Sequence, residues 1–244
     1  MDMKTAINKI PVGEVFGKQL FREVVRQLNP DYTECSINWL LGKLKNENKI
    51  MTVGKGKYIR IEEGKRKIHY TYQHSREYYE IERHIEENYP LVVFQMWELI
   101  QLNEFVNHQI AKNIIFVDVE NMLEESVFDL LHMRYPYTLF MPTEEQFYRH
   151  RGAEDTVVVQ RLVSEAPRPE EAHSSPLEKL LVDLFTSKLT GNLIERYEYK
   201  AICEDMFEKY VIDETKLFRY ARRRHVEDDI RNYIKENTGI RLSV

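Results

Sequence analysis

The sequence is poor in cysteine and contains no long hydrophobic run. Its two cysteines, Cys35 and Cys203, lie far apart and match no metal-binding or redox spacing, so we expect free thiols. No apolar stretch in the sequence approaches the roughly 20 residues that cross a bilayer. The first residues also lack the apolar core of a signal peptide. These absences predict a cytoplasmic protein that does not enter a membrane.

Glycine is scarce too, and no glycine-rich phosphate-binding loop is present, because Gly54-Lys55-Gly56 is too short to form one. The 8 histidines show no paired metal-ligand spacing, and none stands beside a serine or cysteine nucleophile signature. His108 is best interpreted as a core or loop histidine that makes ordinary hydrogen bonds. We therefore expect no cofactor, no metal site and no catalytic residue.

What the chain does have is an uneven distribution of charge. Its 244 residues, 43% hydrophobic and 31% charged, are sufficient for one large or two modest globular domains. The net charge of −5 divides into about +5 for residues 1–61 and about −10 for residues 62–244. Clustered positive charge favours contact with nucleic acid, because lysine and arginine displace the counterions around phosphates.

The basic segment also carries the pattern of a helix followed by a hairpin. Apolar residues recur there at helical spacing: Ile37, Leu40, Leu41 and Leu44. Thr33 or Asp31 is suited to cap the start of this helix. Two short apolar runs then flank the Gly54-Lys55-Gly56 tip, which predicts a β-hairpin with a small cationic end. Together with predicted helices at 3–10 and 18–28 and a short strand at 14–16, residues 1–61 are predicted to form a winged helix-turn-helix domain.

The outward face of the predicted 33–46 helix is the candidate DNA-contacting surface. Trp39 lies opposite the apolar stripe, where a large aromatic side chain needs a partner outside the local core. DNA in the major groove is one such partner, and the second domain or another copy of the chain is the alternative. The predicted DNA-binding residues on this helix and hairpin are Thr33, Ser36, Asn38, Trp39, Lys43, Lys55 and Lys57.

The rest of the chain predicts a mixed α/β domain. Residues 62–75 form either a linker or, since Ile68, Tyr70 and Tyr72 alternate, a first strand. The domain at 76–244 begins with a predicted helix at 76–88, and Ser175 and Pro176 are predicted to start a later one. Further predicted strands lie at 91–99, 114–119, 137–141 and 156–163, and further predicted helices at 122–133, 176–188, 193–210 and 213–237. The predicted fold class is α+β, with a winged helix-turn-helix domain followed by a mixed α/β domain that ends in a helical segment.

Two charged clusters invite a further role. Asp118 and Glu120 stand two residues apart near the end of a predicted strand, as in metal-dependent nucleases, although a solvated strand end is the favoured interpretation. Arg222, Arg223 and Arg224 fall within a predicted long helix of an otherwise acidic domain. They are candidates for binding a phosphate or an acidic partner, and a solvated helix face is the alternative.

Several blocks of the sequence resemble AbiEi-type antitoxins, the transcriptional regulators of bacterial type IV toxin–antitoxin systems. The likeness is carried by SINWLLGKLKNENKI with TVGKGKYIRI, and by SPLEKLLVDLF and KLFRYARRR in the second domain. The resemblance implies a protein that binds operator repeats in double-stranded DNA upstream of its own operon. It also implies that the second domain counteracts a nucleotidyltransferase toxin without necessarily forming a stable complex with it.

The function expected from the sequence is therefore that of a cytoplasmic DNA-binding regulator and antitoxin with no catalysis of its own. Regulators that bind inverted repeats commonly act as homodimers. Two alternatives belong to other classes. One is a metal-dependent nuclease or nucleotidyl-processing enzyme that uses Asp118 and Glu120, and the other is a scaffold whose winged helix contacts only protein.

Overall fold

The fold was determined as a computed structural model. It describes residues 7–47, 49–54, 56–61, 67–106, 109–150, 156–169, 172–186, 189, 194 and 196–243. The expected mixture of helices and strands is confirmed, with two separate sheets. Within these ranges, no helix combines the length and apolar character that a bilayer crossing requires.

The first segment consists of two helices and a small antiparallel sheet. Its elements are β1 (Val15–Gly17), α1 (Lys18–Leu28), α2 (Glu34–Asn46), β2 (Ile50–Gly54) and β3 (Lys57–Arg60). Strand β3 lies in the middle of the sheet and pairs with β1 and β2, both in the antiparallel sense. Gly56 takes a left-handed φ of 71° in the turn between β2 and β3, a conformation that glycine adopts without steric cost.

The core of this segment forms from the predicted apolar stripe of α2. Ile37, Leu40, Leu41 and Leu44 are all buried, together with Phe21 and Val25 of α1. Leu20 of α1 is exposed and does not belong to this core. Phe21 occupies the interior in its place, because it lies one residue further around the helix and contacts Phe16 of β1.

The second segment is built on a four-stranded mixed sheet of order β4-β5-β7-β6. Its strands are β4 (Phe94–Glu98), β5 (Ile114–Val119), β6 (Thr138–Phe140) and β7 (Thr156–Arg161). Strand β4 runs antiparallel to β5, whereas β5, β7 and β6 are parallel to one another. Its helices are α3 (Arg76–Asn88), α4 (Glu124–His132), α5 (Glu144–His150), α6 (Leu177–Thr186), α7 (Arg196–Lys209), α8 (Glu214–Arg223) and α9 (Glu227–Asn237).

Both faces of this sheet are covered, which explains why every residue of β5 is buried. Side chains alternate between two cores along a strand. Val117 belongs to the core that contains α3 and α4, whereas Phe116 belongs to the core that contains α6, α7 and α8. Trp97 of β4 stacks on Phe116 with ring centroids 4.2 Å apart. Asp118 has the same parity as Phe116, so its side chain points towards the helical layer.

One of the two alternatives for residues 62–75 is excluded, and two predictions for this segment were wrong in detail. Residues 68–72 form no strand, and Ile68 makes only an isolated bridge to Tyr210. The helix expected at 213–237 is two helices, because His225 adopts a left-handed φ of 59° between α8 and α9. Ser175 does not cap α6 through its hydroxyl, which has no partner in the described part of the chain. Its backbone N–H instead donates to the carbonyl of Met96 in β4.

The two segments meet through the chain near residue 243. The ammonium of Lys57 in β3 donates to the carbonyl oxygen of Ser243 at 3.2 Å. The N–H of Ser243 in turn donates to Glu214 at the start of α8, at 2.7 Å. This pair of hydrogen bonds links the hairpin of the first segment to the helical layer of the second.

Candidate functional site

The start of α2 is set by a side-chain cap and an ion cluster. Thr33 accepts a hydrogen bond from the N–H of Ser36, as predicted for a residue at the helix N-terminus. Three cations of α1, those of Lys18, Arg22 and Arg26, lie within 4 Å of the Glu34 carboxylate. The hydrogen bond from Arg22 holds the pKa of Glu34 below its usual value. These contacts fix the angle between α1 and the start of α2.

The outward face of α2 presents a tryptophan with a cation above it. Trp39 is 62% exposed, so the alternative in which it packs on the second segment is wrong. The ammonium of Lys43 lies 5.1 Å from the centre of the Trp39 ring, within the range of a cation–π contact. Gly42 has open space where a side chain would begin, so a ligand can approach the helix backbone there. Asn38 is also exposed on this helix.

The hairpin lies beside this helix. Lys45 of α2 places its ammonium 5.3 Å from the ring centre of Tyr58 in β3, which joins the two elements. Lys57 is exposed, although its ammonium is shared with Ser243 as described above. Lys55 lies outside the described residues. We refer to the exposed surface formed by Asn38, Trp39 and Lys43 as the α2 face.

Two of the predicted DNA-binding residues have a different primary role. The hydroxyls of Thr33 and Ser36 lie 3.1 Å apart and hydrogen-bond to each other at the N-terminus of α2. Ser36 is also only partly exposed. Their position therefore explains where the helix begins more directly than it explains what the helix contacts.

A second charged site lies inside the other segment. Lys179 of α6 is 1% exposed, and its ammonium donates to the carboxylates of Asp118 and Asp183. Gln160 of β7 donates to the second oxygen of Asp118 at 2.7 Å. The hydroxyl of Tyr220 in α8 donates to the second oxygen of Asp183 at 2.9 Å. We call these five residues the buried charge cluster.

The protonation of the buried charge cluster follows from its contacts. Burial lowers the pKa of the Lys179 ammonium, but the carboxylates of Asp118 and Asp183 outweigh burial and hold that pKa above its usual value. Burial raises the pKa of the Asp118 carboxyl, and the Lys179 ammonium opposes this rise. The lysine is therefore charged at neutral pH, and its charge is shared between two acids.

The predicted pair of acids, Asp118 and Glu120, does not form a joint site. Asp118 is 2% exposed, so the favoured interpretation as a solvated strand end was wrong. Glu120 instead accepts a hydrogen bond from the N–H of Val93 at 2.7 Å and holds the start of β4. A catalytic site would need a further acid and a lysine, and Asp183 and Lys179 do lie beside Asp118. However, the ammonium of Lys179 lies between the two carboxylates, where a divalent cation would have to bind.

The predicted cluster of three arginines separates into three different contacts. Arg222 pairs with Glu227 at 2.7 Å, and Arg223 donates to the hydroxyl of Ser164. Arg224 turns inwards and donates to the hydroxyl of Thr186 at 2.6 Å. Successive residues of a helix point about 100° apart, and α8 ends at Arg223, so the three arginines face different directions.

The sequence pattern did contain a signal for the buried charge cluster. Lys179 and Asp183 are four residues apart on a largely apolar helix, where buried charged side chains would be expected only if they pair. Their partners Asp118 and Tyr220 lie 61 and 37 residues away in sequence, so no local pattern could identify them. His108 lies outside the described residues. Within the described ranges, no group of three or more His, Cys, Asp or Glu side chains could hold a metal ion.

Comparison with known protein families shows the family to which the chain belongs. The family described as "Family of unknown function (DUF6577)" matches residues 36–240. Because the match covers most of the 244 residues, the chain belongs to this family. The matched range includes most of α2, the hairpin and nearly all of the second segment. A comparison with curated proteins found no match.

Proposed function

We propose that residues 7–61 form a winged helix-turn-helix unit that binds double-stranded DNA, and that the chain regulates transcription from its own promoter. The observation that carries this proposal is the α2 face. A helix whose opposite side is buried presents an exposed Trp39 with the Lys43 ammonium over its ring. An exposed tryptophan offers a large, rigid contact area to a partner outside the chain, and the cation beside it favours a partner that carries negative charge.

The arrangement of the first segment supports the proposal further. Two helices followed by an antiparallel hairpin is the order of elements in winged helix-turn-helix proteins, in which the second helix enters the major groove. The hairpin carries the exposed Lys57 immediately after the glycine turn. The excess of positive charge in residues 1–61 supplies the electrostatic attraction to phosphates.

Asn38 of α2 and Lys57 of the hairpin have different roles in this proposal. Asn38 is suited to hydrogen-bond a base edge, because a side-chain amide can pair with adenine in the major groove. Lys57 is suited to contact the phosphate backbone. Asn38→Ala should therefore relax sequence preference, whereas Lys57→Ala should weaken binding to all duplexes and flatten the dependence on salt.

The experiment is a fluorescence anisotropy titration of the full chain against its own upstream DNA, with a random duplex of equal length, at two salt concentrations. Trp39→Ala should weaken specific binding by at least about tenfold, the effect of losing roughly 1.4 kcal/mol of contact energy. Tyr197→Ala is a matched control, since Tyr197 is 65% exposed in the second segment. Lys200→Ala is the corresponding control for Lys57→Ala.

Two outcomes would contradict the proposal. If the wild-type chain binds its upstream DNA no better than the random duplex at either salt concentration, the α2 face is not a DNA-reading surface. If Trp39→Ala and Tyr197→Ala bind equally well, Trp39 has another partner. The scaffold interpretation, in which this helix contacts only protein, would then be favoured.

We further propose, from the resemblance to AbiEi-type antitoxins, that the second segment counteracts a nucleotidyltransferase toxin. The two blocks that carry the resemblance there, SPLEKLLVDLF and KLFRYARRR, fall on α6 and α8, and both contribute to the buried charge cluster. The test is rescue of growth when the chain is co-expressed with the product of its neighbouring gene. Trp39→Ala should rescue as well as wild type, because its DNA contact is separate from the second segment.

A further inference from the structure

A small cavity lies beside the buried charge cluster, at the carboxyl ends of the parallel strands β5 and β7. Its volume is about 230 Å³. Its lining includes the buried charge cluster and two arginines, Arg161 and Arg224. In open α/β sheets, ligands bind in crevices outside the carboxyl ends of the strands. The position of the cavity is therefore one where this class of fold places a binding site.

The two acids of the lining are already occupied by the chain itself. One oxygen of Asp118 accepts from Gln160 and the other from Lys179. The two oxygens of Asp183 accept from Tyr220 and from Lys179. Since every carboxylate oxygen has a donor, these acids are not available to hold a cationic ligand, and much of their negative charge is compensated.

The two arginines of the lining retain donors. Arg161 uses its Nε to donate to Glu124 at 2.5 Å, and its side chain is 60% exposed. Arg224 uses one terminal nitrogen for Thr186, and its other terminal nitrogen lies 3.7 Å from Asp183. Among the described residues, no further acceptor contacts either guanidinium. The lining thus contains three cations and two carboxylates, with unused N–H groups at two separate places, on β7 and just after the end of α8.

We propose that this cavity binds a phosphate group, carried by a small phosphomonoester or by free phosphate, between Arg161 and Arg224. Guanidinium groups donate pairs of hydrogen bonds to phosphate oxygens. A tetrahedral phosphate can accept from donors that approach from separate elements, whereas the two oxygens of a carboxylate lie in one plane. The cavity volume of about 230 Å³ exceeds the roughly 30 Å³ share of one water molecule several times over, so a phosphate group fits. This site is independent of the α2 face.

The test uses isothermal titration calorimetry of the full chain with inorganic phosphate and, separately, with a nucleoside monophosphate. Arg161→Gln and Arg224→Gln should each weaken binding by about tenfold or more, because each removes charge-assisted hydrogen bonds. Arg222→Gln is the matched control, since Arg222 is two residues from Arg224, in the last turn of α8, but pairs with Glu227 outside the cavity. That control should bind within about twofold of wild type.

The outcomes separate the two sources of the phosphate group. Tighter binding of the monophosphate supports a phosphomonoester ligand, and equal binding supports free phosphate. The proposal is overturned if wild type gives no binding heat with either probe, or if Arg222→Gln loses as much affinity as Arg224→Gln. Acetate binding as tightly as phosphate would also overturn it. If either glutamine variant fails to fold, Arg161→Lys decides the question, because it keeps a cation beside the buried Glu124 carboxylate but removes the guanidinium donors and should still weaken phosphate binding.

Discussion

Replacing Lys179 by methionine would measure how much the ammonium in the buried charge cluster contributes to the free energy of unfolding. The substitution keeps the length of the side chain but leaves Asp118 and Asp183 buried without their shared cation. Removing one partner of a buried ion pair typically costs about 3–5 kcal/mol, because an uncompensated charge stays inside. Against a typical free energy of unfolding of about 5–15 kcal/mol, this loss is about a fifth or more of the total.

The chain offers a control of equal geometry. Lys209 pairs with Asp205 at 2.7 Å, the same distance that separates Lys179 from Asp183, and both pairs are four residues apart. The Lys209 and Asp205 side chains are 45% and 37% exposed, however. Lys209→Met should therefore cost only about 0–1 kcal/mol, since water screens an exposed pair.

The assay is urea unfolding followed by far-UV circular dichroism, in which Lys179→Met should lower the midpoint without changing the slope. The loss should also shrink on acidification. Burial already raises the pKa of Asp118, and removing the ammonium raises it further, so the folded variant binds a proton more tightly than the unfolded chain does. The free energy of unfolding of the variant then rises as the pH falls from neutral towards about 4. Its difference from the wild-type value becomes smaller. Equal losses for Lys179→Met and Lys209→Met, or a gap that does not narrow in acid, would refute this reasoning.

Three further predictions concern single residues. Thr33→Ala should lower the free energy of unfolding by about 1 kcal/mol in thermal melts, because α2 loses its cap, and an unchanged melting curve would contradict that role. Burial tends to raise the pKa of Glu98, but hydrogen bonds led by that from His74 lower it overall, so wild type should lose stability as the pH falls below the usual glutamate value of about 4.3. Glu98→Gln should show a weaker acid dependence in the same urea titrations, and an identical one would argue against an ionised Glu98. A thiol reagent should modify Cys35 in the native protein, whereas Cys203, whose pKa burial raises to about 12, should react only after unfolding.

Much of the fold could be predicted from the sequence, because the signals that set the ends of several elements are local. The cap at Thr33 and the buried face of α2 are both written within 13 consecutive residues. Helix α3, predicted at 76–88, similarly begins after a Ser75 cap and buries Tyr78, Ile81 and Ile85, which stand at helical spacing. These features depend on hydrogen bonds and side-chain spacing within one or two helical turns.

The errors arose where distant parts of the chain decide the outcome. No local pattern distinguishes one helix from two around His225, because a non-glycine residue in the left-handed region depends on the packing of α8 and α9. Helix α5 was not predicted, and its only buried residue is Phe147, which gives no apolar periodicity. The candidate DNA-contacting helix was accessible from sequence, whereas the pairing of Asp118 with Lys179 required the parallel register of β5 and β7 and the docking of α6.

The two tryptophans of the chain lie in different segments and differ in exposure, so their fluorescence reports different events. Trp97 is 2% exposed and stacked on Phe116, so its emission should be blue-shifted and inaccessible to a soluble quencher until the sheet unfolds. Trp39 is 62% exposed, so its emission should be red-shifted and readily quenched. In a Trp97→Phe background, the remaining fluorescence would follow only what approaches α2. Trp39→Phe would leave a signal that follows only the integrity of the second segment.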